Sequence, residues 1–172
     1  MRRQLRRIMI CMLMVFALQF VMGVNAKPVE NGRESKNIVE FLKKNRKEYS
    51  TLEQALEAAG LTQTLEGEGP FTVFAPNNRA FEQLPKGVLE NLLAPQNKAQ
   101  LTDILTYHVA KGRLTAEDLT KMNGQELMML NGKPAKIEVK DGNVYIDGAK
   151  VLRADVPVSN GVIHVIDTVI MP

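Results

Sequence analysis

The sequence predicts an α+β domain, and three observations carry that expectation. Apolar residues recur at helical spacing between Ile38 and Leu119, apolar and polar residues alternate from Gln125 onward, and one β-rich run, Phe71-Thr72-Val73-Phe74, sits early among the helices. Helices first and strands last, with one early strand that must return to the late sheet, is the order of an α+β fold.

Ile38, Phe41 and Leu42 mark a short first helix. Ser50-Thr51-Leu52-Glu53 has the form of a capping box, and Leu52, Ala55, Leu56 and Ala59 follow at helical spacing until Gly60 ends the helix. Gly67-Glu68-Gly69 reads as a turn, and the run from Phe71 is a strand stopped by Pro76. Asn77 is placed to cap a short helix carrying Ala80, Phe81 and Leu84. Pro85, Gly87 and Pro95 bracket another helix from Val88 to Leu93. Leu101, Ile104, Leu105 and His108 share one helical face, after which the chain turns extended around Tyr107 to Val109. Thr115 caps one more helix, with Leu119 on its inner side.

In the final third, Asp141-Gly142 separates Ile137 and Val139 from Val144 and Ile146. A two-residue turn there pairs Val139 with Val144 and Ile137 with Ile146 on one face, and turns Glu138 and Tyr145 to the other. Asn131-Gly132 suggests a second turn, whose register Pro134 leaves open because it has no N–H for a ladder. Val151 to Val156 and Val162 to Met171, joined through Asn160-Gly161, form the last pair.

The chain begins with a targeting signal. Arg2, Arg3, Arg6 and Arg7 precede a nearly unbroken apolar run from Ile8 to Val24, and Val24-Asn25-Ala26 supplies a small-residue cleavage site. Residues 1–26 are thus expected to be a secretory signal peptide removed after Ala26, residues 27–36 a flexible polar leader, and residues 37–172 the folded domain. The apolar run is near the lower limit for a bilayer span, so an uncleaved anchor stays open as the alternative. The whole chain has 22 Lys+Arg against 19 Asp+Glu, but residues 1–26 hold four Arg and no acid, leaving 18 against 19 in the rest. The basic excess belongs to the targeting segment, and the basic stripe a nucleic-acid partner would need is missing. Cys11, the one cysteine, lies inside that segment, so the domain is expected to fold on an ordinary core with no disulfide.

Candidate chemistry is sparse. His108 and His164 are the two histidines of the chain. His164 alternates with Val162 and Ile166 on a strand, and His108 continues an apolar helical face, so both are expected to be structural and hydrogen-bonded. Two histidines without cysteine make no usual zinc site. Asp141-x-Asn143 starts like a calcium loop, but Tyr145 and Ile146 stand where a ligand and a glycine belong. No nucleophile elbow or phosphate-binding loop occurs. Neither metal nor cofactor is expected. Met122, Met128 and Met129 are expected to fill the core, the alternative being an apolar ligand site.

Three segments together resemble the fasciclin domain family. They are Phe71-Thr72-Val73-Phe74-Ala75-Pro76-Asn77-Asn78-Arg79-Ala80-Phe81, then Tyr107-His108-Val109, then Asn160-Gly161-Val162-Ile163-His164-Val165-Ile166-Asp167 and on to Pro172. Asn78 stands where the family often carries Asp. The resemblance implies a compact wedge-shaped β-sandwich with helices packed on one side. It also implies an exported, non-catalytic module for adhesion or binding, in a secreted, periplasmic or extracellular setting, whose partner is a cell-surface or matrix protein or a polysaccharide. In animal members the Tyr-His region and an Asp-Ile pair before the last segment are associated with integrin contact. These map to Tyr107, His108, Asp155 and Val156, with Val in place of Ile. Tyr107 and Asp155 could equally tie elements of the fold together. The alternative function the resemblance offers is a carrier of an apolar small molecule such as a carotenoid.

Overall fold

Residues 37–172 are described by a computed structural model, which has each of the expected helices and one more. The expected signal peptide, residues 1–26, and the expected leader, residues 27–36, lie outside the described residues. The first helix, α1 (Ile38–Lys44), is capped by Asn37, whose side-chain oxygen accepts from the Glu40 N–H. Helix α2 (Arg46–Ala59) starts a turn earlier than Ser50 and is interrupted at Tyr49, whose φ of −129° and ψ of 20° are not helical. The expected capping box does not form. Glu53 turns instead to Arg46, which donates from Nε at 2.7 Å and from a terminal nitrogen at 2.9 Å, and the Thr51 N–H finds its acceptor on Asn78, 27 residues away. Gly60 ends α2 in the left-handed region at φ 74°.

The additional helix is α3 (Thr62–Glu66), with Leu65 alone buried, too few apolar residues to show a period. Strand β1 (Phe71–Pro76) leads into α4 (Asn78–Glu82), where Asn77 caps as expected by accepting from the Ala80 N–H. Helix α5 (Val88–Leu93) and a single 3₁₀ turn at Pro95–Asn97 precede α6 (Lys98–Tyr107), strand β2 (Val109–Lys111) and α7 (Ala116–Lys121). In α7 Thr115 and Asp118 form a reciprocal capping box. Strands β3 (Glu126–Met128), β4 (Pro134–Lys140), β5 (Asn143–Ile146), β6 (Ala149–Val158) and β7 (Gly161–Ile166) complete the chain.

The seven strands pair in the order β2-β1-β7-β6-β5-β4-β3. The β4–β5 hairpin has the expected register, Ile137 opposite Ile146 and Val139 opposite Val144, across Asp141 and Gly142 at φ 52° and 74°. A second turn of the same kind at Asp147-Gly148, with φ 48° and 85°, joins β5 to β6. The same Asp-Gly dipeptide marked it in the sequence, but alternation was too short there to frame it. The early strand does return: β1 lies parallel to β7, Phe71 opposite Gly161 through Pro76 opposite Ile166. The sheet also curls so that its two ends meet. Ala110 on β2 bridges Met129, just past β3, and the Leu130 N–H donates to Val109 O at 2.7 Å.

Curling gives the sheet two buried faces. On one, Val73 and Ala75 of β1, Ile163 and Val165 of β7 and Val156 and Val158 of β6 pack against buried residues of α1 to α6. On the other, Phe74 and Ile166 meet Tyr107, Leu119 of α7, and Leu127, Ala135, Ile137 and Ile146 of the far strands. Burying about 100 Å² of apolar surface is worth about 2.5 kcal/mol, so these two cores supply the stability that no disulfide provides. Met129 is buried and Met122 is packed against the second core; Met128, by contrast, is 61% exposed.

Candidate functional site

The central strands β1 and β7 are buried on both faces, so every polar side chain they carry must find a partner inside. His164 is fully buried. Its Nε2–H donates to Leu114 O at 2.8 Å and its Nδ1 accepts from the Asp155 N–H at 3.3 Å. The ring stacks on Phe74 with centroids 5.6 Å apart. Thr72, also fully buried, donates to Gly112 O at 2.8 Å and accepts from the Leu114 N–H at 2.9 Å. Together Thr72 and His164 hold the loop that enters α7. Thr72 was not singled out from the sequence; its signal was a hydroxyl inside a strand with no solvent-facing positions.

The Tyr107-His108 pair is likewise interior. His108 Nδ1–H donates to Ile104 O at 2.8 Å, one turn back on α6, and Nε2 accepts from the Ile170 N–H at 3.2 Å. Both imidazoles are therefore neutral, with one nitrogen donating and the other accepting. Desolvation pushes His108 down to about 4 and also lowers His164. The Tyr107 hydroxyl donates to Pro134 O at 2.9 Å and lies 3.3 Å from Asp147 Oδ2, and burial with the Asp147 charge raises its pKa to about 12.

Asp155 stands apart. The register of β6 against β7 shifts between Arg153 and Val156, and Asp155 occupies the resulting bulge at φ 56° with its side chain exposed. The bulge is pinned from both sides: the Asp155 N–H by His164, and the Asp155 carboxylate by the Ala116 N–H at 2.8 Å. Val156 beside it is buried. A continuous chain links the two predicted regions: the Phe74 N–H donates to His108 O at 2.8 Å, Phe74 stacks on His164, and His164 holds Asp155. Of the four residues singled out by resemblance, Asp155 faces solvent and Tyr107, His108 and Val156 lie beneath the surface.

Among the described residues are surface depressions of about 500 and about 530 Å³. Glu66, Glu68, Arg113 and Asn160 are among the residues around the first, and Lys47, Glu48, Arg79 and Arg153 among those around the second. Neither has the apolar lining an apolar carrier needs. Among the described residues no group of three or more His, Cys, Asp or Glu is placed to hold a metal ion, and no helix is long and apolar enough to cross a membrane.

This architecture, a curled seven-stranded sheet with buried residues of α1 to α6 on one face and α7 on the other, defines the class of the domain. The chain belongs to the fasciclin domain family, whose sequence pattern matches residues 47–172. It is similar to Protein sll1483 of Synechocystis, 52% identical over 124 residues that make up 72% of this chain and 67% of that one. It is also similar to transforming growth factor-beta-induced protein ig-h3 of Sus scrofa, 39% identical over 72% of this chain but only 18% of the longer protein. Among solved structures, a domain pair from the insect cell adhesion molecule fasciclin I superposes with a TM-score of 0.71 at 21% identity, covering 80% of this chain and 51% of that one. The fold is therefore the fasciclin fold, as the resemblance implied.

Proposed function

We propose that this protein is an exported, non-catalytic binding module that contacts a protein or polysaccharide of the envelope or extracellular space. The observation that carries the reading is the Asp155 bulge, an exposed carboxylate on a backbone held from two sides. A pre-ordered acidic contact loses little conformational entropy when a partner engages it. Asp155 makes the contact in this reading, while Tyr107, His108 and Val156 hold the surface on which it stands. The interior histidines support a non-catalytic role, since both ring nitrogens of each are spent on backbone groups. The adhesion role named for the insect relative agrees with this class.

The test compares the exported protein with its Asp155→Asn variant, immobilised and exposed to extracts of the native envelope. Asn keeps an acceptor for the Ala116 N–H and removes the charge. Capture is expected to fall at least about tenfold, the value of a charge-assisted hydrogen bond worth 1.5–3 kcal/mol, with the unfolding transition unchanged. Equal capture by both forms would exclude Asp155 as the contact. Export predicts an intact mass beginning at Lys27; a full-length chain integrated in the membrane would overturn that step.

A further inference from the structure

Strand β6 departs from regular pairing twice, and the first departure, between Val151 and Arg153, has its own consequence. It places Leu152 and Arg153 on the depression of about 530 Å³, where β6 meets the interrupted start of α2 and the first turn of α4. Lys47, Arg79 and Arg153 line this depression, and Glu48 is the one carboxylate among the lining residues. All three cations are exposed, and none forms a salt bridge among the described residues, whose ion pairs lie elsewhere. Single exposed leucines are ordinary on protein surfaces, but Leu152, 52% exposed, lines the same depression as these cations.

We propose that this depression receives an acidic segment of a partner protein, with carboxylates on Arg79, Arg153 and Lys47 and a neighbouring apolar side chain against Leu152. The inference deepens the binding-module reading and rests on it. Guanidinium groups take carboxylates through paired N–H donors, and unpaired cations gain most from a ligand that brings the missing charge. The apolar element selects peptide over acidic polysaccharide. An acidic polysaccharide would meet the cations but leave Leu152 without an apolar partner, and the one aromatic residue here, Tyr49, is only 2% exposed. An aliphatic side chain flanked by cations instead matches a chain that alternates acids with apolar residues.

Fluorescence anisotropy of a labelled, capped hexapeptide of alternating Glu and Leu, titrated with the exported protein, tests this. Binding is expected, and it should weaken several-fold when ionic strength rises from about 0.05 to about 0.5 M. Replacing Glu by Gln in the peptide, or introducing Arg79→Glu or Arg153→Glu in the protein, should each weaken it about tenfold or more. Leu152→Ala should cost about threefold. Arg113→Glu, at the other depression, should leave binding within about twofold, and Arg79→Glu, Arg153→Glu and Leu152→Ala should keep the parent melting transition because these side chains are exposed. The inference is overturned if the Glu peptide does not bind, if the Gln peptide binds equally, if Arg79→Glu and Arg153→Glu bind as the parent does, or if polygalacturonate binds more tightly than the peptide. Any of these together with persistent Asp155-dependent capture removes this surface and leaves the binding-module reading standing.

Discussion

Two imidazoles and one hydroxyl hold the centre of this molecule, and their protonation links stability to pH. His108 is pushed from the ordinary 6.5 down to about 4 by burial, and His164 is lowered by the same cause. In the unfolded chain both would bind a proton near pH 6.5, so between that pH and about 4 the unfolded state holds more protons than the folded one. The stabilisation is therefore complete above about pH 7 and is lost as pH falls toward 4. Protonated His108 can no longer accept from Ile170, nor protonated His164 from Asp155. Melting midpoints measured from pH 8 to pH 4 should be flat at first and then drop below about 6.5; a flat profile down to 4 would show that neither ring is buried neutral. At neutral pH, His164→Ala removes two hydrogen bonds and leaves a void beside Phe74, with an expected loss of about 2–4 kcal/mol in denaturant melts. A change within about 0.5 kcal/mol would rule out its structural role.

At the scale of elements, Asn78 shows how one helix is finished by another. Its side-chain oxygen accepts from the Thr51 N–H at 3.2 Å, and its amide donates to Lys47 O and Ser50 Oγ, both at 3.1 Å. The backbone groups freed by the interruption of α2 at Tyr49 are thus satisfied from the first turn of α4. An aspartate would keep the acceptor and lose the donor to Lys47. Asn78→Ala should cost about 1–2 kcal/mol and Asn78→Asp less, a ranking that chemical denaturation can read directly. If Asp proves worse than Ala, the acceptor is not the important half of the contact. Elements that close on themselves were legible beforehand: the hairpin at Asp141-Gly142 and the caps at Asn77 and Thr115 depend on residues within a few positions. The cap at Ser50 was misread because Ser50 and Glu53 have the spacing of a local capping box, but Ser50 pairs with Asn78 of α4 and Glu53 with Arg46 at the start of its own helix; the break at Tyr49 does fall just before Ser50.

For the molecule as a whole, the parallel contact of β1 and β7 is the decisive closure. Asn160-Gly161 was expected to join the last two strands; the turn falls on Ser159-Asn160, between Val158 and its partner Gly161, and Gly161 has no positive φ. It is glycine because a Cβ there would stand 1.9 Å from Phe71 O and 2.8 Å from Phe71 C. Gly161→Ala must push β1 away from β7 and is expected to cost about 3 kcal/mol or more, or to prevent folding; a variant melting within about 1 kcal/mol of the parent would contradict the close approach. Asn160 fastens the same region to the amino-terminal helices, accepting from the Ile38 N–H at 3.1 Å and donating to Leu65 O at 2.6 Å.

The sequence by itself determined the α+β order, most helices, the central hairpin and the buried placement of His108 and His164, because periodicity and turn chemistry act over a few residues. Tertiary structure alone decided that the sheet would curl until Ala110 met Met129, that β6 would bulge to expose Asp155 and Leu152, and that Asn78 and Asn160 would serve distant backbone. Those outcomes depend on contacts between residues 9 to 122 positions apart. No local pattern records them, since the partner that makes each arrangement favourable is absent from the segment that adopts it.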